Sequence, residues 1–336
     1  MMNKNVKVIL SLAFFVILLL GGIAAFNFYV DPMCYYHCQS VEVQHPTQNV
    51  YYEATQLIAA HPEAEVLILG SSRGQTTPGN WVENHIGMKT LNLSKGGAGI
   101  LLKLALLRTA QEYKLPLKKI IWIADYFEVA GDVTDVKVRQ TPVLRKHLVK
   151  ELPEEAGIKN RLEFLQRLID HTSFEASLAQ IKSLSTTFEV PQSGVNIDSN
   201  ACASPDFKGK TPVDVLSKEI DISYSTFGLM LRSKMNDSYM ADLKKEIQML
   251  GQSGIEVLIL IPPFHPKFMA RLAKDAPESL ERHKQWLDQL NSLQSDRIHV
   301  SSFWDRIPGD DGGPSFWDDG AHPTCKSMMI MLDKAL

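Results

Sequence analysis

From residue 62 onward the chain alternates short apolar runs with amphipathic stretches. The runs are 66–69, 90–93, 120–124, 255–261 and 298–301. Each is short and lacks the polar alternation of a half-exposed strand, so each reads as a strand buried on both faces. Helical spacing appears in the gaps. Leu102, Ala105, Leu106 and Thr109 share one side over 101–113, and Met240, Leu243, Ile247 and Leu250 share one over 238–250. Asp237 is placed to cap the second helix and Gly251 to stop it, with a buried strand a few residues later. That order is the one a right-handed crossover requires, and its recurrence predicts an α/β fold with a parallel sheet of about five strands and helices on both faces.

The N-terminal part has a different pattern. Val8 to Phe26 is an unbroken uncharged run, long enough for a helix of roughly 28 Å, close to a bilayer core. Lys4 and Lys7 precede it and no basic cluster follows closely, which predicts a cytoplasmic N-terminus with the rest of the chain outside. A cleaved leader ending near Ala24 and Ala25 is the alternative, but the apolar run exceeds a normal leader core. The predicted organisation is therefore a tip and transmembrane anchor over 1–30, a tether over 31–61 with a helix from 49 to 60, and a globular domain over 62–336. Residues 126–235 form an insertion between the third and fourth strands, with helical patterns at 158–169 and 174–184 and a turn-rich stretch at 190–212. It reads equally as a packing layer or as a cap over a site.

Composition narrows the function classes. With 336 residues, 45% of them hydrophobic, the chain can bury a large core. Its 35 basic and 38 acidic side chains nearly balance, so it has no broad cationic field and nucleic acid is not expected as a partner. The cysteines, Cys34, Cys38, Cys202 and Cys325, form an even set compatible with disulfides or free thiols. His37 lies between the first two, but that cluster lacks the fourth ligand of a closed zinc site, and no metal is expected.

Candidate chemistry gathers at the predicted carboxyl ends of the strands, where open α/β sheets form their sites. Gly70, Ser71, Ser72 and Arg73 follow the first strand; Asn92, Ser94, Gly96 and Gly97 the second; Asp125 the third; Pro262, Pro263 and His265 the fourth. Near the C-terminus, Asp319 and His322 stand three residues apart in SFWDDGAHPT. A serine needs a base to remove its proton, and the base needs a carboxylate to hold its tautomer, so these three residue types belong together chemically.

Gly70-Ser71-Ser72, the glycine block after the second strand and Asp319-x-x-His322 resemble the SGNH, or GDSL-type, hydrolase superfamily over roughly 65–125 and 255–336. The resemblance implies a flavodoxin-like three-layer α/β/α sandwich that needs neither cofactor nor metal. It also implies Ser72 as nucleophile, His322 as base, Asp319 as triad acid, and backbone amides of Ser72 and Gly97 as oxyanion donors, with Gly96 one residue away. The superfamily's oxyanion asparagine has no counterpart, because the third strand ends in WIADYF and Asp125 is a poor donor when ionised. Arg73 is the nearest substitute, or an anchor for an anionic sugar or phosphate; its alternative is a surface arginine capping the turn. Asp125 and His265 are further substrate-side candidates, His265 with a structural alternative. Trp304, Phe316 and Trp317 read as a stacking platform or as core. Asp318 lacks the three-residue offset of Asp319.

The anchor, the Gly-Ser-Ser form and the terminal aromatic-Asp-x-x-His-Pro stretch resemble, more narrowly, membrane-anchored envelope proteins such as those of alginate O-acetylation and D-alanyl transfer to teichoic acid. That implies an extracytoplasmic serine esterase or O-acyltransferase at the cell or inner membrane. Envelope glycan or polymer would be the substrate, and a membrane-bound O-acyltransferase a partner. The alternative is a catalytically inactive relative that binds glycan or that partner.

Overall fold

Every residue of β1, Val66–Leu69, is buried, as a central strand covered on both faces requires. It stands in a five-stranded, wholly parallel sheet with β2 (Thr90–Asn92), β3 (Lys119–Ile123), β4 (Glu256–Ile261) and β5 (Ile298–Ser302), in the order β2-β1-β3-β4-β5. This is the flavodoxin-like order, and every strand begins within one residue of its predicted start. The structure, a computed structural model, describes residues 4–37, 49–130, 138, 141–148, 165–183 and 212–336. Two units divide the chain: Met1–Gln56 with Lys137–Val190, and Leu57–Val136 with Pro191–Leu336.

The first unit holds α1 (Lys4–Val30) and most of α2 (Val50–Ala60). Within α1, Asn5–Val30 is long and apolar enough to cross a membrane, and its side chains are exposed through most of its length. Its last turns are tied down by polar contacts. Asn27 Nδ2 donates to the Leu168 carbonyl at 2.8 Å, Ser177 Oγ donates to Asn27 Oδ1 at 2.9 Å, and Phe26 meets Phe174 edge-on at 5.7 Å. Just after α1, the buried Asp31 carboxylate accepts from the backbone N–H of Tyr35, Tyr36 and His37, while the His37 ring contacts the Phe28 carbonyl. Cys34 and Cys325 are both disulfide-bonded; Cys38 and Cys202 lie outside the described residues.

The second unit contains the sheet. Between β1 and β2 lie α3 (Ser72–Gln75) and α4 (Gly79–Ile86), and α5 (Ile100–Glu112) precedes β3. The helix Asp237–Gln252 packs on β4, β5 and α5, and Cys325–Ala335 packs on β4. The fully buried Leu and Ile side chains of the sheet each contribute about 1.5–3 kcal/mol through burial. Two helix-end expectations are corrected. Asn236, not Asp237, caps the helix, its Oδ1 accepting from the N–H of Ser238 and Tyr239. Gly251 lies inside the helix, where a β-carbon would stand 3.2 Å from Ile298 Cδ1, so the glycine serves close packing on β5.

Of the helix predicted over 158–169, residues 158–164 lie outside the described residues and 165–168 are helical; the helix predicted over 174–184 is present as His171–Ser183. The turn-rich 190–211 lies outside the described residues. Pro212–Arg232 is a long helix in a stretch to which the sequence reading gave no element, although Leu216, Ile220, Tyr224, Phe227 and Leu231 recur at helical spacing.

Candidate functional site

The direction of the connections reverses between β1 and β3, and their carboxyl ends form the switch-point crevice of this topology. From β1 the chain turns at once into α3. A β-carbon at Gly70 would stand 2.8 Å from Ser94 Oγ, and one at Gly74 would stand 2.6 Å from the same atom. Both positions therefore exclude a side chain. The junction holds Ser72 at the first turn of α3, half exposed, and encloses Ser71 and Arg73.

The two serines are separated by their partners. Ser71 Oγ donates to Asp125 Oδ2 at 2.5 Å and accepts from the Arg73 N–H at 3.2 Å. Ser72 Oγ stands 2.8 Å from His322 Nε2, and His322 Nδ1 stands 2.7 Å from Asp319 Oδ2. Asp319 Oδ1 accepts from the backbone N–H of Ala321 at 2.6 Å and of His322 at 2.8 Å. Burial raises the Asp319 pKa, but the His322 contact and these two N–H groups outweigh it and hold the carboxyl below its usual range. An ionised Asp319 only accepts, so His322 carries its proton on Nδ1 and leaves Nε2 to accept from Ser72. Burial first, and then the charge of Asp319, push Asp318 the other way, up.

Gly97 has φ +73°, a left-handed conformation suited to glycine, in a turn that the Lys95 N–H anchors to the Gly70 carbonyl at 3.1 Å. Gly96 lies beside Gln75 of α3. Neither the Ser72 nor the Gly97 N–H donates to another described residue. Asn92 is committed elsewhere. Its Nδ2 donates to the Gly74 and Thr77 carbonyls at 3.2 and 2.8 Å, and its Oδ1 accepts from the Ser94 N–H.

Arg73, Asp125 and His265 stand otherwise than a substrate-binding role requires. Arg73 is 1% exposed and is neither a surface cap nor an open anion site. Its Nη1 pairs with Asp125 Oδ1 at 2.6 Å, its Nε donates to the Ala321 carbonyl at 3.0 Å, and its Nη2 donates to the carbonyls of Pro262, at 2.7 Å, and Pro263. The Phe264 ring stacks beneath the guanidinium at 4.1 Å. Asp125 is 0% exposed and engaged by Arg73 and Ser71. His265 caps the helix Pro266–Asp275, accepting from the Lys267 N–H through Nδ1 while Nε2 bonds the Gly312 carbonyl. Burial pushes its pKa down, and both ring nitrogens are occupied.

The aromatic residues divide. Trp317 is fully buried, with its indole N–H on Asp310, and Phe316 is buried near Lys326, so neither forms a surface platform. Trp304 is half exposed and meets Phe264 at 6.1 Å. Phe227, absent from the sequence-based candidates, stands edge-on to His322 at 5.4 Å. It comes from the helix Pro212–Arg232, so the insertion supplies one aromatic wall of the site. Gly70-Ser71-Ser72-Arg73-Gly74 also has the Gly-x-Ser-x-Gly spacing of strand-to-helix turns that present a serine, a signal that singles out Ser72 from β1 alone.

No protein-family model matches the chain, and no curated protein matches its sequence. Two solved structures are similar in outline. One, from Streptococcus pneumonia and named for platelet activating factor, is 11% identical over 85% of this chain and 89% of that one, with TM-score 0.41. The other, from Bacteroides fragilis and named an acylhydrolase, is 12% identical over 83% of this chain and 90% of that one, with TM-score 0.39. Likenesses this remote carry no chemistry, which rests on the side chains themselves.

Proposed function

We propose that this chain is a membrane-anchored serine esterase or O-acyltransferase of the SGNH-like type, acting on glycan or polymer of the cell envelope. The observation that carries the reading is the Ser72–His322–Asp319 relay, with 2.8 and 2.7 Å between successive groups. Ser72 Oγ transfers its proton to His322 Nε2 as it bonds to the acyl carbonyl carbon. The Ser72 and Gly97 N–H groups receive the oxyanion. His322 then returns the proton to the leaving alkoxide, and a covalent acyl-serine remains. Water or a glycan hydroxyl next attacks that ester with His322 as base, and the proton passes back to Ser72.

Location supports the polymer assignment. The charge bias around α1 favours a cytoplasmic N-terminus, which leaves the serine on the outer side of the cell or inner membrane. A membrane-bound O-acyltransferase is the partner class that would deliver acyl groups there. A second reading, a catalytically inactive module that binds glycan or that partner, draws on one observation: Asp125 occupies the end of β3 and offers no side-chain donor to an oxyanion.

The deciding experiment treats the full chain in detergent with a fluorophosphonate and maps the adduct, alongside turnover of an aryl acetate. Covalent labelling at Ser72, abolished in Ser72→Ala, is the expected result. Folded protein that neither labels at Ser72 nor cleaves the ester overturns the enzyme reading in favour of binding.

A further inference from the structure

We propose that Arg73 is a positioning residue: a buried fork that locks the turn carrying Ser72 to the loop carrying His322. The inference deepens the proposed serine chemistry and rests on it for its kinetic readouts. Arg73 directly follows Ser72, and its Nε donates to the carbonyl of Ala321, the residue directly before His322. One side chain thus spans the two members of the relay that lie 250 positions apart in the chain. The same guanidinium takes the Pro262 and Pro263 carbonyls at the end of β4 and the Asp125 carboxylate at the end of β3. Asp125 returns to Ser71 on the other side of Ser72.

The arrangement has the properties of a fixture. A planar fork pairs rigidly with several acceptors, whereas a lysine ammonium would neutralise Asp125 without reproducing the spread of bonds. The near-complete burial of Arg73 and Asp125 removes competing water and makes every acceptor obligatory. The Phe264 ring lies against the guanidinium, and Gly70 and Gly74, where a β-carbon would crowd Ser94 Oγ, keep the turn itself tightly packed. Asp125 occupies the strand end where an oxyanion asparagine would otherwise donate. The position holds relay geometry instead of contacting the oxyanion. Proton transfer depends on sub-ångström placement, and displacement of about 1 Å costs roughly 100-fold in rate.

The test is Arg73→Lys in the full chain, read by aryl-acetate kinetics, by the fluorophosphonate labelling rate, and by NMR of [15N]histidine-labelled protein for the His322 Nδ1 proton bonded to Asp319. Expected are a roughly 100-fold fall in kcat with KM changed less than about threefold, a parallel fall in labelling, and loss or broadening of the His322 signal. A purely structural residue would leave the folded fraction with native kinetics and a native signal; kcat within about threefold of wild type and an unchanged resonance overturn the proposal. If Arg73→Lys does not fold, Ser71→Ala keeps both charges and releases one side of Asp125 together with the cap that Ser71 Oγ gives the Arg73 N–H. It should slow labelling several-fold, and an unchanged rate overturns the proposal equally. Should wild-type protein prove inert to ester and fluorophosphonate, the serine chemistry fails on its own. The His322 resonance in Arg73→Lys then still decides the fixture: loss supports it and persistence overturns it.

Discussion

At the two ends of the same five strands, ion pairs of similar composition stand in opposite surroundings. At the amino ends, Glu256 pairs with Lys119 at 3.4 Å and Arg297 at 3.7 Å, with Glu256 42% and Arg297 56% exposed. At the carboxyl ends, Arg73–Asp125 and Lys103–Glu128 are at most 1% exposed. Lys103 also donates to the Ile123 carbonyl, and Trp122 donates its indole N–H to Glu128. Burying charge costs desolvation that the pairing only approximately offsets, so the carboxyl-end pairs are not explained by net stability. What they do is fix backbone: each ties the end of β3 to a neighbouring segment. The half-exposed relay sits in that fixed surround. In the proposed reading, position is held by the sealed charges and chemistry is left to the more open ones.

The largest effect expected along this contrast belongs to the open side. In the proposed reaction Ser72 forms the covalent bond and His322 relays its proton, so Ser72→Ala and His322→Ala should each lower kcat at least about 10³-fold while leaving the thermal unfolding midpoint near wild type. Circular dichroism melts and ester kinetics on the same preparations check both halves. Near-wild-type activity in either variant would remove the relay from the reaction.

The sealed side should respond in the other currency. Asp125→Asn places a side-chain amide at the end of β3, yet it leaves Arg73 buried without a counter-charge. Destabilisation of about 3–5 kcal/mol is expected, with no gain in turnover, measured by denaturant unfolding and kinetics. An Asn variant that is as stable as wild type and faster would show that this position faces the reacting atoms.

Much of this contrast was legible in the chain and part was not. The strands announced themselves because burial on both faces leaves continuous apolar runs, and Asp319 with His322 because their contact is local. Two serines follow β1, and Ser72 was singled out from them only by combination with Asp319-x-x-His322 and the resemblance that the pair carries. Arg73 read as a surface cap or an anion anchor because its acceptors, at Asp125, Pro262, Pro263 and Ala321, are far away in sequence and three of them are backbone carbonyls with no side-chain signature. Asp125 and Glu128 share a strand end in WIADYFE, but their cations come from two different helices. Phe227 was hidden for the same reason: its helix had a readable period, but what that helix would face is a tertiary fact. The cap at Asn236 differs from the expected Asp237 by one residue, a distinction that composition does not make because both side chains cap well.

A third outcome extends the contrast to pH. The buried His283 ring meets Tyr126 at 4.1 Å and Trp304 at 5.0 Å, and burial, with the charge of Arg282 adding, pushes its pKa down to about 4 from 6.5. The unfolded chain therefore takes up that proton near pH 6.5 and the native one only near pH 4. Between those values the unfolded state binds more protons, so stability rises with pH: the contribution is full above about pH 6.5 and is lost as pH falls toward 4. It amounts to roughly 3 kcal/mol. His283→Phe, which keeps the ring contacts, should flatten that acid limb in unfolding curves taken from pH 7 to 4. An unchanged slope would mean that His283 does not carry it.

The smallest effect is expected at the amino ends. Glu256→Gln removes a carboxylate that faces two cations across 3.4 and 3.7 Å, in a setting where water screens both contacts and long side chains lose entropy by holding still. Stability should change by less than about 1 kcal/mol, the change should shrink further in high salt, and kcat should stay at its wild-type value. The comparison is sharp because Glu256 begins β4 and Asp125 follows β3, its neighbour in the sheet, and each meets an arginine. If Glu256→Gln matched Asp125→Asn in cost, burial would not be what separates the two edges. A small, salt-sensitive effect on one edge and a large, salt-insensitive one on the other would locate the rigid part of the molecule where Ser72 stands.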